Sequence, residues 1–397
     1  MTRRVDQISR ARFVESHADA ALRHAALDAM AAGDRPARLG RIAALGAGRT
    51  GDFLDFGERN RIGPIVAKAL LEAFPDGFDG QARARRIYED SGRRMRVLMD
   101  ELDAVAARLE GAGLRMVALK NAGIARGIFD DPALCPMGDL DVLVSRHRFR
   151  EAHALILEAG FALQSRAAIE PADVEAGLES GGTEYIKQVG GEEVWFELQW
   201  RPVAGRWIRR DQEPDPDALL ARSVPIAGSA VRLLEPVDNM IQVALHTAKH
   251  TYVRAPGLRL HTDVDRLALF TPPDWDAVVA MARRLEVKTA VYFSLAMARA
   301  LLDTPVPESA LRALEPPAWK VAAITGWLAR VDVFEPDQRK FRRPDMMAFV
   351  ALLYDDAAGL AASVFDTERD QLDLRHLPTN LARGARRMRD LVTRYQR

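Results

Sequence analysis

The sequence predicts an α+β protein, in which a core of strands and helices is set within a largely helical chain. Apolar residues recur at helical spacing before residue 111 and after about residue 235, whereas short β-like runs alternate with helical patterns in between. A Gly-Gly pair between two β-like runs is typical of a hairpin turn. The 397 residues suffice for two or three domains. We predict a helical region at 1–90, the α+β core at 91–225 and a helical C-terminal domain at 226–397.

The region before the first strand contains two well-marked helical patterns. Residues 62–74 carry apolar positions at helical spacing, and Pro75-Asp76-Gly77 ends this pattern. Residues 83–111 form one long amphipathic pattern, whose apolar stripe is Val97, Leu98, Leu102, Val105 and Leu109. The glycines at 111 and 113 close this helix and introduce the core.

The core begins with a strand, a turn and a helix. Residues 114–119 are a short apolar run typical of a strand, residues 120–123 (Lys-Asn-Ala-Gly) read as a turn, and residues 124–129 continue as a helix. A glycine-bearing turn between a strand and a helix leaves backbone N–H groups free, and such groups suit phosphate. Lys120 adds a positive charge to this turn, although an ordinary surface lysine is an equally good interpretation.

Residues 138–144 (Gly-Asp-Leu-Asp-Val-Leu-Val) are the most informative segment of the chain. Side chains alternate along a strand, so Asp139 and Asp141 emerge on one face and Leu140, Val142 and Val144 on the other, toward a core. Two neighbouring carboxylates repel each other and cannot be buried cheaply without a counter-charge. A divalent cation with hard oxygen ligands, such as Mg²⁺, is the simplest partner.

A third acid lies on a later strand. Residues 147–159 predict a helix, and residues 183–189 and 193–200 predict the two arms of the hairpin around the Gly-Gly pair. On the second arm, Glu197 shares a face with Trp195 and Gln199. A carboxylate inside an aromatic and aliphatic strand needs a partner. A shared metal site requires this arm to pair beside the strand that carries the two aspartates.

The order of these segments resembles the DNA polymerase β-like nucleotidyltransferase superfamily, and more narrowly a bacterial group known as nucleotidyltransferase family proteins. The resemblance rests on Leu119-Lys120, on residues 138–144 and 196–200, and on the helix around residues 245–250, and it spans roughly residues 50–270. It implies a polymerase β-like core, which is a small mixed sheet with flanking helices.

The resemblance also implies a reaction, in which a nucleoside monophosphate moves from a nucleoside triphosphate to an acceptor and pyrophosphate is released. Mg²⁺ or Mn²⁺ would be the cofactor, and the acceptor (a small molecule, a protein side chain or an RNA end) is not identified. The candidate catalytic and metal-binding residues are Asp139, Asp141 and Glu197. The candidate nucleotide-binding residues are Lys120, Asn121, Gly123, Gly138 and Lys249. Glu197 would hold a second ion or accept the acceptor's proton, and both roles stay open.

Three positions depart from the usual pattern of this group. Asn121 stands where the group has the glycine of Leu-Lys-Gly, and Cys135 stands where an arginine often precedes the aspartates. The later strand reads Glu197-Leu198-Gln199 in place of Asp-x-His, and the glutamate retains a metal ligand with a longer reach. The changes at 121 and 199 motivate an alternative function, a catalytically weak or inactive nucleotide-binding module of the same fold that acts through a partner.

Composition argues against several broad classes of protein. Lys plus Arg and Asp plus Glu both number 56, so no net field attracts the protein to nucleic acid or to a membrane. The single cysteine rules out an internal disulfide and favours a reducing compartment. No apolar run approaches the ~20 residues of a membrane span, and the first residues lack a secretion pattern. We expect a cytoplasmic protein with no membrane partner.

Residues 46–51 (Gly-Ala-Gly-Arg-Thr-Gly) match the dinucleotide-binding fingerprint G-x-G-x-x-G. The context does not fit, because residues 41–45 are a poor strand and residues 52–57 do not open a convincing crossover helix. We interpret the segment as a loop between helices.

His246 and His250 are four residues apart on a predicted helix, which is the spacing of two zinc ligands on one face. His261 and Asp263 are candidates for a third ligand, but no fixed spacing relates them to the pair. We therefore favour packing or hydrogen-bonding roles for these histidines.

Residues 383–397 hold six arginines and one acid. A basic helical tail of this kind suits RNA or an acidic partner, so an RNA-binding helical protein is a third hypothesis. A solvated final helix is the simpler interpretation.

Cys135, Trp195 and Trp200 complete the candidates. A lone thiol beside the two aspartates invites the idea of a reactive cysteine, but such a residue in a loop is usually incidental. The two tryptophans lie on opposite faces of their strand, where core or hairpin-edge roles fit better than base stacking.

Overall fold

The computed structural model describes residues 8–15, 17–165, 173–202, 213–250, 257–336, 343–365, 367, 372 and 375–393, without the side chains of 343, 344, 346 and 386–393. Its mixed sheet and its many helices confirm the predicted α+β class. No helix in these ranges is long and apolar enough to cross a membrane.

Six helices of the described part of the chain precede the sheet. They are α1 (Arg10–Val14), α2 (Ala20–Met30), α3 (Arg35–Ala43), α4 (Thr50–Arg59), α5 (Gly63–Ala73) and α6 (Gln81–Gly111). Helices α5 and α6 confirm the two patterns seen in the sequence. The stripe of α6 is buried at Leu98, Leu102, Val105 and Leu109 and half-buried at Val97, as an amphipathic helix on a core requires.

The central region carries every strand of the sheet. Its elements are β1 (Val117–Ala118), α7 (Lys120–Gly127), β2 (Leu140–Leu143), α8 (Phe149–Glu158), β3 (Ala162–Leu163), α9 (Val174–Ser180), β4 (Gly182–Val189), β5 (Glu192–Gln199), α10 (Pro216–Arg222), β6 (Val224–Pro225) and β7 (Arg232–Leu233).

Nine described helices follow the sheet. They are α11 (Pro236–His250), α12 (His261–Phe270), α13 (Trp275–Arg284), α14 (Lys288–Leu302), α15 (Glu308–Leu314), α16 (Ala318–Val331), α17 (Arg343–Leu353), α18 (Ala357–Phe365) and α19 (Leu377–Thr393). A 3₁₀ turn at Gly257–Leu260 leads into α12. The predicted domain boundary at residue 90 falls inside α6, and one apolar cluster runs from Ile8 to Tyr354, so the division into domains stays a prediction.

The strands form one seven-stranded sheet in the order β3-β4-β5-β2-β1-β7-β6. Strand β2 lies at the centre, parallel to β5 on one side and antiparallel to β1 on the other. Hairpin β4–β5 turns at Gly190 and Gly191, whose φ angles of 59° and 89° suit a tight turn that matches the twist of the sheet. The structure thus confirms the predicted hairpin and places its second arm beside β2.

The two faces of β2 meet different surroundings. Leu140, Val142 and Val144 point into the main core, as the alternation predicted. Leu143 points the other way, into a small apolar cluster that includes leucines of α10. Because Asp139 and Asp141 alternate in step with Leu143, they lie on this second face, the one with the small apolar cluster.

The structure corrects two local predictions. Strand β1 contains only Val117–Ala118, and helix α7 already begins at Lys120, so residues 120–123 are its first turn and not a separate loop. Residues 50–59 are helical, against expectation, but the preceding α3 is a helix and not a strand, so the glycines at 46–51 still do not form a dinucleotide-binding turn.

Gly123 allows α7 to pack closely on the sheet. A Cβ at this position would lie 2.8 Å from the carbonyl oxygen of Ala118 and 3.2 Å from Leu233. One turn later, a Cβ on Gly127 would lie 2.7 Å from Ile226. The backbone contact at Gly123 is too short for any side chain, so this glycine sets the distance between α7 and β1, whereas the contact at Gly127 is with the end of a side chain that can shift.

Substitution Gly123→Ala should therefore destabilise the protein by about 1–3 kcal/mol, because the backbone of β1 must move to admit the methyl group. Denaturant unfolding measures the loss. The control is Gly40→Ala in α3, where nothing lies within 4 Å of the added Cβ. That variant should be unchanged or up to about 1 kcal/mol more stable. Wild-type stability of the first variant would contradict the packing described here.

His261 opens α12 inside the core. Its side chain is 0% exposed, and its Nδ1 lies 3.2 Å from the carbonyl oxygen of Leu258, to which it donates. Burial lowers the pKa of His261 to about 4, and the carbonyl opposes this shift only in part. The folded protein therefore holds this histidine neutral at a pH where the unfolded chain protonates it.

This difference should destabilise the protein as the pH falls. The His261 contribution is complete above the unfolded pKa of about 6.5 and is lost progressively down to about pH 4, with a loss of about 2 kcal/mol between pH 7 and pH 5. Substitution His261→Asn retains an amide donor for the Leu258 carbonyl but does not titrate. The variant should show a correspondingly shallower pH dependence of the unfolding free energy; parallel curves for the two proteins would exclude this role.

Candidate functional site

The pairing of β2 with β5 brings the three predicted acids together. The parallel register sets Asp141 opposite Glu197, and Asp139 lies on the same face just before β2 begins. One carboxylate oxygen from each of Asp139, Asp141 and Glu197 lies within 4.8 Å of the other two. Among the described residues this is the one group of three or more potential ligands that is close enough to hold a metal ion.

Lys120 is the counter-charge of this acid cluster. Its Nζ donates to Asp141 Oδ1 at 2.5 Å, and both side chains are largely shielded from solvent. The backbone places it there, because the N–H of Leu119 donates to the carbonyl oxygen of Asp141 at 2.9 Å and α7 begins at the next residue. Lys120 has a φ of 52°, in the left-handed region that costs a non-glycine residue roughly 1–2 kcal/mol.

The electrostatics of the cluster reflect burial and crowding of like charges. Burial raises the pKa of Asp141 to about 6, and the nearby Glu197 charge adds to this effect while Lys120 opposes it. Burial lowers the pKa of Lys120, but the charges of Asp141, Glu197 and Asp139 together outweigh it, so the lysine pKa is raised. The arrangement therefore favours additional positive charge near the acids.

Gln199 is a member of this site that we had counted only as a departure from the family pattern. Its side chain is 0% exposed, and Nε2 donates to Asp141 Oδ1 at 2.8 Å. Gln199 Oε1 has no hydrogen-bond partner within the described part of the chain. The alternation that placed Gln199 on the face of Glu197 was the signal for this position.

Asn121 and Gly123 lie in helix α7, and not in the predicted turn, and both make hydrogen bonds within the protein. Asn121 Nδ2 donates to the carbonyl oxygen of Cys135 at 3.0 Å, which fixes the segment that leads to Asp139. The N–H of Gly123 donates to the carbonyl oxygen of Leu119 at 3.3 Å, as part of the first turn of α7. The exposed Gly138 directly precedes Asp139. Nucleotide contacts of these residues stay predictions.

Cys135 lies in the core and not in an open loop. Arg266 of α12 donates from Nη1 to its Sγ at 3.0 Å and from Nη2 to the carbonyl oxygen of Leu134 at 2.9 Å. Burial raises the pKa of the Cys135 thiol to about 11, and a thiol that stays protonated is a poor nucleophile. Sequence reasoning missed Arg266 and the nearby Arg259, because they are more than 100 residues from the cysteine.

Helix α11 does not bring its histidines to a zinc site. The rings of His246 and His250 are in edge contact, with centroids 4.8 Å apart, but no third ligand from the described residues joins them. His261 is the buried core residue described above. Lys249 is half-buried in the last turn of α11, which packs against α7, and its contact with a nucleotide stays a prediction.

The remaining candidates are the two tryptophans and the arginines of the C-terminal tail. Trp200 is a core residue, with its Nε1 donating to the carbonyl oxygen of Gly177 at 3.3 Å and Arg146 stacked on its ring. Trp195 is half-buried. In the basic tail, Arg383 is exposed, and the side chains of the other five arginines are outside the described set, as is all of 394–397.

Comparison with known proteins supplies the family. A profile of the family described as uncharacterised nucleotidyltransferase matches residues 48–303, which includes the whole sheet and the acid cluster. Neither the curated proteins nor the solved structures gave a significant match. The matched region covers well over half of the chain, and we conclude that this protein belongs to that family of nucleotidyltransferases.

Proposed function

We propose that this protein is a metal-dependent nucleotidyltransferase that moves a nucleoside monophosphate from a nucleoside triphosphate to an acceptor, with release of pyrophosphate. Family membership supports nucleotidyl transfer in general. The observation that supports metal dependence is the convergence of Asp139, Asp141 and Glu197 within 4.8 Å. The acceptor is a small molecule, a protein side chain or an RNA end.

The donor set fits a hard divalent cation such as Mg²⁺ or Mn²⁺. All three side chains offer carboxylate oxygens, which are the ligands that these ions prefer. Lys120 and Gln199 both donate to Oδ1 of Asp141 and neither uses Oδ2. When bound, divalent cations would neutralise phosphate oxygens and stabilise the entering and leaving oxygens of an in-line displacement.

Lys120 and Gln199 are the positioning groups of this proposal. Gln199 holds Asp141 in one orientation through its amide, which is fully buried. Lys120 carries its charge into the acid cluster from the first turn of α7. A phosphate that binds at the start of this helix would meet both the ammonium group and the helix dipole.

Glu197 is proposed to act at the acceptor side. It lies on β5 opposite Asp141 and is half-buried, so its carboxylate is shielded but still reaches solvent. In this position it either helps to hold a cation or accepts the proton of the attacking group directly.

The alternative is a nucleotide-binding module of the same fold with little or no turnover. The observation that favours it is Gln199, which occupies a site position with an amide that cannot exchange a proton at neutral pH. Nucleotide and metal binding without pyrophosphate release would support this alternative.

Neutral variants of the acids test the proposed function. Asp139→Asn, Asp141→Asn and Glu197→Gln should each lower pyrophosphate release by at least about a hundredfold, because each removes a charged oxygen ligand. The assay measures pyrophosphate with each of the four nucleoside triphosphates, in Mg²⁺ or Mn²⁺, with cell extract as the source of acceptors. Asp139→Asn and Glu197→Gln should stay folded, since each relieves repulsion among three neighbouring carboxylates. Asp141→Asn also removes the ion pair with Lys120, so its Tm is measured beside its activity.

Glu193→Gln is the matched control, because Glu193 lies on β5 on the face of Glu197 but is exposed and outside the acid cluster. It should retain wild-type activity. If the wild-type protein releases pyrophosphate equally well after chelation of divalent metals, or if the three acid variants do, the proposed role of the acids is wrong.

A further inference from the structure

Arg259 is a buried arginine that is only partly paired by the described residues. It lies in the 3₁₀ turn before α12, and only 7% of it is exposed. Its Nη1 has no hydrogen-bond partner among the described residues. A buried guanidinium normally has its donors paired, because the cost of removing a charge from water is several kcal/mol.

The surroundings of Arg259 compensate its charge only in part. Asp263 follows one helical turn later, but its Oδ2 also has no partner in the described residues. Burial lowers the pKa of Arg259, and the carboxylates of Asp263 and Asp139 offset only part of this effect. Arg266, a second buried cation in the same group, opposes them.

The group formed by Arg259, Asp263 and Arg266 adjoins the acid cluster. Arg266 donates to Cys135 Sγ at 3.0 Å, and Asn121 of α7 donates to the carbonyl oxygen of the same cysteine at 3.0 Å. The next residue of the chain toward the site is Pro136, and Asp139 follows three residues later. Helix α12 packs directly against α7, which carries Lys120.

Several unpartnered buried atoms lie around this junction. Five buried side-chain atoms of this junction or of the acid site lack a hydrogen-bond partner among the described residues. These five are Asn121 Oδ1, Gln199 Oε1, Arg259 Nη1, Asp263 Oδ2 and Arg266 Nε. Such a group of atoms is typical of a site whose polar groups are completed by a ligand.

We propose that Arg259 binds a phosphate group of the nucleotide, through the guanidinium donor Nη1 that has no hydrogen-bond partner among the described residues. This assignment rests on the proposed function, because it takes a nucleoside triphosphate as the ligand of the neighbouring acids. The fork of an arginine matches the non-bridging oxygens of phosphate, and Nη1 of Arg259 has no described partner that a phosphate would have to displace.

The test compares Arg259→Met and Arg259→Lys with the wild-type protein, by isothermal titration calorimetry with ATP, inorganic tripolyphosphate and inorganic phosphate in excess Mg²⁺. Arg259→Met should weaken binding of ATP and tripolyphosphate about ten- to a hundredfold, and Arg259→Lys less, because the ammonium keeps the charge but loses the fork. The control is Arg299→Met, since Arg299 also has an unpartnered buried Nη1 but lines a separate cleft between α1, α14 and α15. Its affinities should match the wild type.

Thermal unfolding, measured without ligand and with tripolyphosphate, distinguishes a ligand-binding role of Arg259 from a structural one. Arg259→Met removes a buried charge that is only partly compensated and leaves Arg266 to balance Asp263, so its Tm should be close to that of the wild type, while its Tm increase with tripolyphosphate should be smaller. A large fall in Tm together with wild-type affinity for tripolyphosphate would overturn the assignment and leave a structural role.

The outcomes also distinguish a failure of the Arg259 proposal from a failure of the proposed transferase function. Normal pyrophosphate release and normal ATP affinity in Arg259→Met overturn the phosphate contact alone. Binding of tripolyphosphate and ATP that depends on Arg259, without turnover of any triphosphate, supports the contact and removes the transferase reaction. Binding of inorganic phosphate but of neither ATP nor tripolyphosphate overturns the nucleotide as the ligand, and no binding of any phosphate compound overturns both proposals.

Discussion

The parallel pairing of β2 with β5 is the constraint on which the site depends. A single register, with Asp141 opposite Glu197, places both carboxylates on the same face, and a slip of one residue would turn one of them into the opposite core. The apolar residues on the other face enforce this register, because Leu140, Val142, Phe196 and Leu198 are all fully buried. The packing of the core thus aligns the acids, although the acids themselves repel one another.

Charge compensation is the second constraint, and among the described residues it is incomplete. Lys120 and Gln199 both donate to one oxygen of Asp141, whereas Arg259 Nη1 and Asp263 Oδ2 are buried without a hydrogen-bond partner among these residues. A protein that only had to be stable would replace these groups with apolar ones. The presence of these groups together is consistent with a ligand that brings both cations and anions.

Local patterns predicted most of the elements, but not the contacts between distant ones. Alternation placed Asp139 and Asp141 on one face and put Glu197 with Gln199, and the Gly190-Gly191 turn defined the hairpin, because these features depend on neighbours in the chain. The pairing of β5 with β2, and the burial of Cys135 against Arg266, join residues more than 50 positions apart and follow from tertiary packing. The turn predicted at Lys120 is helical because the glycine at 123 lets α7 lie directly on the sheet.

The central claim, that three acids share a cation site next to a nucleotide, is tested most directly by crystallography with Mn²⁺ and a non-hydrolysable nucleoside triphosphate. Anomalous scattering identifies the metal independently of any assumption about the site. The account predicts a manganese peak in contact with oxygens of Asp139 and Asp141, with Glu197 coordinated or one water away and the phosphates on the same metal. Manganese bound elsewhere, or Glu197 turned away from the two aspartates, would contradict it.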